Sequence, residues 1–208
     1  MLSPELPAVA QADLSDFPPR EAAVPHGWPH PLVPNFSDWQ PADIVLVGND
    51  GTLAGNAIVM TQNASLSAAT RAGAKFTHAA LYVGSGMLID ATVGAGIAEH
   101  TVWDYCQFRT LALRRVPGLS QALADSIVLK ARSHLGKSYS WLGVIASKLI
   151  PQTEPDPGRL YCSTYIGLVV AQGSGRKLAS IPRYKPLHPG TLAGHAGLDH
   201  VALEWRPV

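Results

Sequence analysis

The chain has 208 residues, of which 47% are apolar and 15% charged, so it is neither a disordered polymer nor a charge-rich tail. Sixteen Lys+Arg stand against fifteen Asp+Glu, for a net charge of +1, and the basic residues are scattered. That balance leaves no electrostatic footprint for nucleic acid, and the length fits one domain with an arm.

Residues 1–14 (MLSPELPAVAQADL) lack the basic and apolar regions of a secretory signal. The cytoplasm is therefore the default location, with export by a route needing no signal peptide as the alternative. Nine of the 17 prolines fall in residues 1–41. Proline has no amide donor and a fixed φ, so this stretch sustains neither helix nor central strand. It is read as an extended arm, docked by Trp28, Phe36 and Trp39, with a flexible tail over 1–25 as the alternative, ahead of a domain over 42–208. Ile44 to Val47 is a short buried strand closed by a Gly48 to Gly51 turn. Residues 54–74 are small and polar, with helical turns and loop. Phe76–Val83 and Met87–Thr92 are strands joined by a three-residue hairpin loop, Gly84-Ser85-Gly86. Gly96–His100 and Leu111–Val116 are further strands. Ser120 caps a helix reaching about Leu135, with Leu123, Ile127, Ala131 and Leu135 on its inner face, and Gly136 ends it. Residues 139–150 read as helix and 151–158 as loop. The most apolar stretch, Trp141 to Ile150, contains Lys148 and falls short of the roughly 18–20 residues a membrane span needs. Cys162–Ala171 reads as a buried helix, 182–197 as mostly loop, and Val201–Trp205 as a last strand. Strands first and helices later make an α+β fold with a mostly antiparallel sheet.

Two cysteines cannot build a disulfide framework. Cys162 follows a Pro/Gly-rich loop and opens an apolar helix, where the helix dipole and free amides favour a thiolate and can hold an oxyanion. Cys106, among aromatic neighbours, is read as packing. A thiolate nucleophile needs a base, and the base an orienting group. Of eight histidines, His78 stands in a strand, which holds a catalytic group more rigidly than a loop. The loop register sets Val83 opposite Met87 and Ala80 opposite Asp90. Asp90 then lies on the face of His78, one diagonal away, roughly 7–8 Å between backbones. An Asp between Ile89 and Ala91 also needs a polar partner. Metal-ligand spacings such as Cys-x-x-Cys are absent, and Gly173-Ser174-Gly175-Arg176 follows a helix rather than opening one, so neither a metal, a cofactor nor a phosphate loop is expected.

The stretch Thr77 to Gly84 with Met87 to Ala91 resembles the circularly permuted NlpC-type papain-fold proteins, the YiiX/YebB group and, more distantly, lecithin:retinol acyltransferase. Ala42-Asp43-Ile44-Val45-Leu46 is similar to the opening Gly-Asp-Ile strand of that family. Gly136-Lys137-Ser138-Tyr139 is similar to its Gly-x-x-Tyr, and Tyr161-Cys162-Ser163-Thr164 to its Tyr-Cys-Ser-Glu nucleophile motif. These matches span about 43–171, in order, with His before Cys as the permuted group has it. The resemblance implies a papain-like fold with Cys162 as nucleophile, His78 as general base and Asp90 as the third residue. Tyr139 and Tyr161 then lie near the oxyanion or the substrate. Ala42 departs from the family's Gly, and Thr164 from a common Glu.

The expected chemistry is acyl transfer through a thioester, foremost hydrolysis of an amide such as a peptide, isopeptide or cell-wall peptide bond. A lipid acyl ester is the alternative substrate, favoured by the low charge and the apolar 141–150 segment. An inactive papain-like binding module is the reading from another class. Related domains also serve as toxins between bacteria, and the arm would then suit delivery or an inhibitory immunity protein.

Overall fold

The computed structural model describes residues 24–92, 95–106, 110–137, 162–178 and 187–207. In chain order these form β1 (Leu32–Pro34), a 3-10 turn (Phe36–Asp38), β2 (Ile44–Gly48), α1 (Leu53–Asn63), α2 (Ala68–Ala72), β3 (Phe76–Gly84), β4 (Met87–Thr92) and β5 (Gly96–Thr101). After them come α3 (Trp103–Cys106), β6 (Leu111–Arg115), α4 (Gln121–Arg132), α5 (Cys162–Ser174), α6 (Pro189–Ala193), β7 (Asp199–Val201) and β8 (Trp205–Pro207). The helix read over 139–150 and the loop over 151–158 lie outside the described residues.

A six-stranded sheet in the order β5-β4-β3-β2-β6-β7 carries the fold. Each of its pairings is antiparallel. The architecture is thus α+β with an antiparallel sheet. Both faces of the sheet are covered, which is why Ile44 to Val47 is apolar without alternation. On one face Ile44, Leu46, Ala79, Leu81 and Ile89 pack with Ile127 and Val128 of α4 and Ile166 and Val170 of α5. On the other, Val45, Val47, Ala80, Tyr82 and Leu88 pack with Trp39, Trp103 and Tyr105. Among the described residues no helix is long and apolar enough to cross a membrane.

The described part of the arm, residues 24–41, lies on that second face. Trp28 stands edge-on to Trp103 at 5.1 Å, Phe36 to Trp39 at 5.0 Å, and Trp39 to Tyr82 at 5.2 Å. Its β1 pairs with β8 as a separate two-stranded ribbon, a position prolines tolerate.

Several expectations change in detail. The β3–β4 loop is a two-residue turn, Ser85-Gly86, both with positive φ (52° and 72°), and Met87 pairs with Gly84. A bulge between Tyr82 and Gly84 absorbs the extra residue, so Ala80 still faces Asp90. On α4 the buried residues are Ala124, Ile127, Val128 and Ala131, while Leu135 lies beyond the helix and is exposed. Steps of four residues drift off a helix face, whereas i, i+3, i+4, i+7 hold it. The single C-terminal strand is two short ones, because the chain leaves the main sheet after Val201 to pair with the arm. The late loop contains α6, with Pro189 at its first position. Helix α3 was not legible in the sequence.

Ala42 has φ 73°, the left-handed region that suits glycine. It is held there because its amide donates to the Tyr82 carbonyl at 2.9 Å and its methyl is buried. The next residue, Asp43, is buried too, and takes Arg115 Nε at 2.7 Å and Nη2 at 2.8 Å on its two oxygens. This bidentate pair pins the start of β2 to the end of β6.

Candidate active site

Cys162 is the first residue of α5 and is buried. The next two side chains tie this first turn to another segment. The Ser163 hydroxyl donates to the Leu187 carbonyl, and Thr164 Oγ1 accepts from the Leu187 amide at 3.2 Å. Thr164 thus serves as a tether. Along its length α5 packs on α4 at Gly173, where a Cβ would meet the Ile127 backbone at 2.5 Å.

His78 sits in β3, opposite Val47 of β2. The β3 entry is anchored by Gln62, fully buried in α1. Its Nε2 donates to the carbonyls of Ala74 at 3.0 Å and Phe76 at 2.8 Å, and its Oε1 accepts the Gly190 amide at 2.6 Å. Asp90 lies on β4 opposite Ala80, so His78 and Asp90 are diagonal neighbours on one face, as expected. His78 Nε2 and Asp90 Oδ2 are 2.9 Å apart. Asp90 is fully buried, and the His78 side chain is 18% exposed.

Two residues of this cluster were not singled out from the sequence. The Tyr105 hydroxyl donates to the same Asp90 oxygen, and the Tyr105 ring stacks on His78 at 5.4 Å and 22°. Its signal was a tyrosine inside an apolar segment, whose buried hydroxyl demands a partner. His100, on β5, brings Nε2 to 3.6 Å from Asp90 Oδ1.

The electrostatics favour an ion pair. Burial pushes the His78 imidazolium down, but the Cys162 thiolate and then Asp90 outweigh it and raise the pKa to about 10. Burial likewise pushes the Cys162 thiol up, yet the His78 charge and hydrogen bond, with the Ala79 and Ser163 amides, hold it below its ordinary value. Nε2 of His78 is engaged by Asp90, which leaves Nδ1 for the thiol. Cys106 has only burial acting on it, and its pKa rises to about 12. Both cysteines are free thiols.

The cluster therefore brings together Cys162, His78 and Asp90, from α5, β3 and β4. Tyr139 and Tyr161, assigned to the substrate or oxyanion, lie outside the described residues.

No protein-family model matches the chain, and no curated protein does. Among solved structures, one described as metalloprotein yiiX from Escherichia coli O157:H7, DUF1105, is similar in fold at TM-score 0.58 and 18% identity. The match covers 80% of this chain and 98% of that one. At that identity the likeness shows a shared fold.

Proposed function

We propose that the chain is a cysteine hydrolase of the circularly permuted papain-like kind, acting on an amide bond of a peptide or isopeptide. The observation that carries this reading is the convergence of Cys162, His78 and Asp90, with His78 paired to Asp90 at 2.9 Å and charged beside the thiol. The Cys162 thiolate attacks the carbonyl carbon, and the carbonyl π electrons move to oxygen. The Cys162 backbone amide, in the first turn of α5 where amides have no partner within the helix, donates to that oxyanion. His78 Nδ1–H then protonates the leaving amine as the C–N bond breaks, leaving a thioester. Neutral His78 next takes a proton from water, which attacks the thioester, and the acid and thiol are released. Asp90 holds the His78 tautomer throughout and stabilises its cation.

A lipid acyl ester is the second reading, and one observation favours it. No charged residue occurs between Asp50 and Arg71, and Leu53, Met60 and Leu66 in this stretch are 91%, 72% and 100% exposed. An uncharged surface with large apolar side chains suits an acyl chain or a lipid surface.

The yiiX neighbour is described as a metalloprotein. Among the described residues no group of three or more His, Cys, Asp or Glu is gathered for an ion, and Asp90 already serves His78 and Tyr105. The proposed steps are carried by Cys162, His78 and Asp90.

The test is intact-protein mass spectrometry of an acid-quenched mixture with peptidoglycan peptides, acyl-peptides and phospholipids, beside Cys162→Ala. A peptidyl increment on the wild type alone supports the amidase, and a fatty-acyl increment the lipid reading. Cys162→Ser and His78→Ala are each expected to leave under about a hundredth of the hydrolysis rate. Near wild-type turnover in either variant would sink the assignment. A Cys162 that alkylates at pH 6 no faster than a free thiol would instead make the chain a binding module.

A further inference from the structure

Asp90 has more capacity than the triad uses. Its Oδ2 takes both the His78 and the Tyr105 hydrogen bonds, whereas Oδ1, fully buried, has no hydrogen-bond partner among the described residues. Facing it at 3.6 Å is His100 Nε2, also buried and also without a hydrogen-bond partner among them. Polar atoms so placed are rarely left unpaired, and this gap is only a few tenths of an ångström beyond hydrogen-bond length.

The register makes the approach a built feature. On the β3 side Ala80 faces Asp90 and His78 is its diagonal neighbour. On the β5 side Ala98 faces Asp90, Leu88 faces His100, and His100 is the diagonal neighbour. Asp90 is thus flanked by a histidine from each adjacent strand. Tyr105 touches both rings, stacked on His78 and edge-on to His100 at 6.1 Å.

We propose that His100 is a positioning residue of the site, whose Nε2–H closes onto Asp90 Oδ1 and fixes the carboxylate plane against His78. With three donors from three elements, the carboxylate cannot rotate away. His78 is then held as the Nε2–H tautomer with Nδ1 toward Cys162, the only arrangement in which it can take the thiol proton. Without His100 the carboxylate swings on its two remaining bonds, both at one oxygen. The wrong His78 tautomer gains population and the thiolate loses it. This role rests on the cysteine-hydrolase reading above.

The experiment compares Cys162 alkylation by iodoacetamide from pH 5 to 9 in the wild type, His100→Gln and His100→Leu. Glutamine can return an N–H donor to the Nε2 position, whereas leucine keeps bulk and removes the donor. The Leu variant is expected to alkylate about fivefold more slowly at pH 6, the order of one charge-assisted hydrogen bond felt through a neighbour, with the profile midpoint shifted up. The Gln variant is expected to stay within about twofold of the wild type, a rescue that loss of packing alone would not show. Fast wild-type alkylation with an unchanged or faster Leu variant overturns the role of His100 alone. Slow wild-type alkylation overturns the hydrolase reading and this role with it. Nitrogen-15 NMR of ring-labelled wild-type protein tests the contact without any variant. A proton on His100 Nε2, shifted downfield by the carboxylate, supports it, and the Nδ1–H tautomer overturns it.

Discussion

Replacing Asp90 by Asn tests the electrostatic core of the site with little change of shape. The amide oxygen can still accept from His78 and Tyr105, so geometry is kept and the charge is lost. In the native protein the His78–Asp90 pair is at 2.9 Å, with one partner fully buried and the other 18% exposed. At an effective dielectric constant of about 20, charges about 4 Å apart attract by about 4 kcal/mol. Solvent at the His78 edge screens part of this, and about 2 kcal/mol is a fair share. That is about 1.5 pKa units, or about a thirtyfold change in equilibrium. Asp90 raises the His78 pKa, so its loss lowers that pKa and weakens the imidazolium beside the thiolate. The Cys162 thiol must then rise. The assay is the pH profile of Cys162 alkylation in a Cys106→Ser background. The Asp90→Asn curve is expected to shift to higher pH, with a rate at pH 6 about thirtyfold lower. A curve superimposed on the wild type would refute the claim that Asp90 acts through charge.

Further outcomes can be measured on the same protein. Between pH 6 and 8, limited alkylation followed by peptide mapping should label Cys162 and spare Cys106, whose thiol burial pushes up to about 12. Because the folded His78 pKa is raised, its contribution to stability is complete below about 6.5 and is lost as pH rises through about 10. A His78→Gln variant should therefore show a flatter urea midpoint over that range than the wild type. Gln62→Leu strands two buried carbonyls and one amide, and should cost roughly 2–4 kcal/mol in urea unfolding. An unchanged midpoint would show that other groups satisfy them. Ala42→Gly removes a Cβ from a left-handed position, and is expected to raise stability by about 0.5–1 kcal/mol, read from the thermal midpoint.

The elements that rest on local pattern were legible. The apolar runs at Ile44 and in β3 and β4, and the Ser120 cap, each follow from backbone and side-chain geometry within a few residues. The His78–Asp90 diagonal was legible as well, although the turn that sets it has two residues and a bulge instead of three residues. Both routes insert the same number of residues between the paired positions, so the register survives the error.

The amino-acid order by itself determined the α+β pattern, the antiparallel hairpin carrying His78 and Asp90, and the cysteine at a helix start. It could do so because each depends on neighbours in the chain. Tertiary structure alone decided which groups surround the carboxylate. Tyr105 reaches Asp90 from a one-turn helix beyond the next strand, and His100 from that strand itself. Likewise Ser163 and Thr164 meet Leu187 across 24 and 23 residues, and Gln62 meets Gly190 across 128. Such contacts are fixed by how elements stack on the sheet, and the packing that satisfies buried polar groups leaves no periodic trace in the sequence.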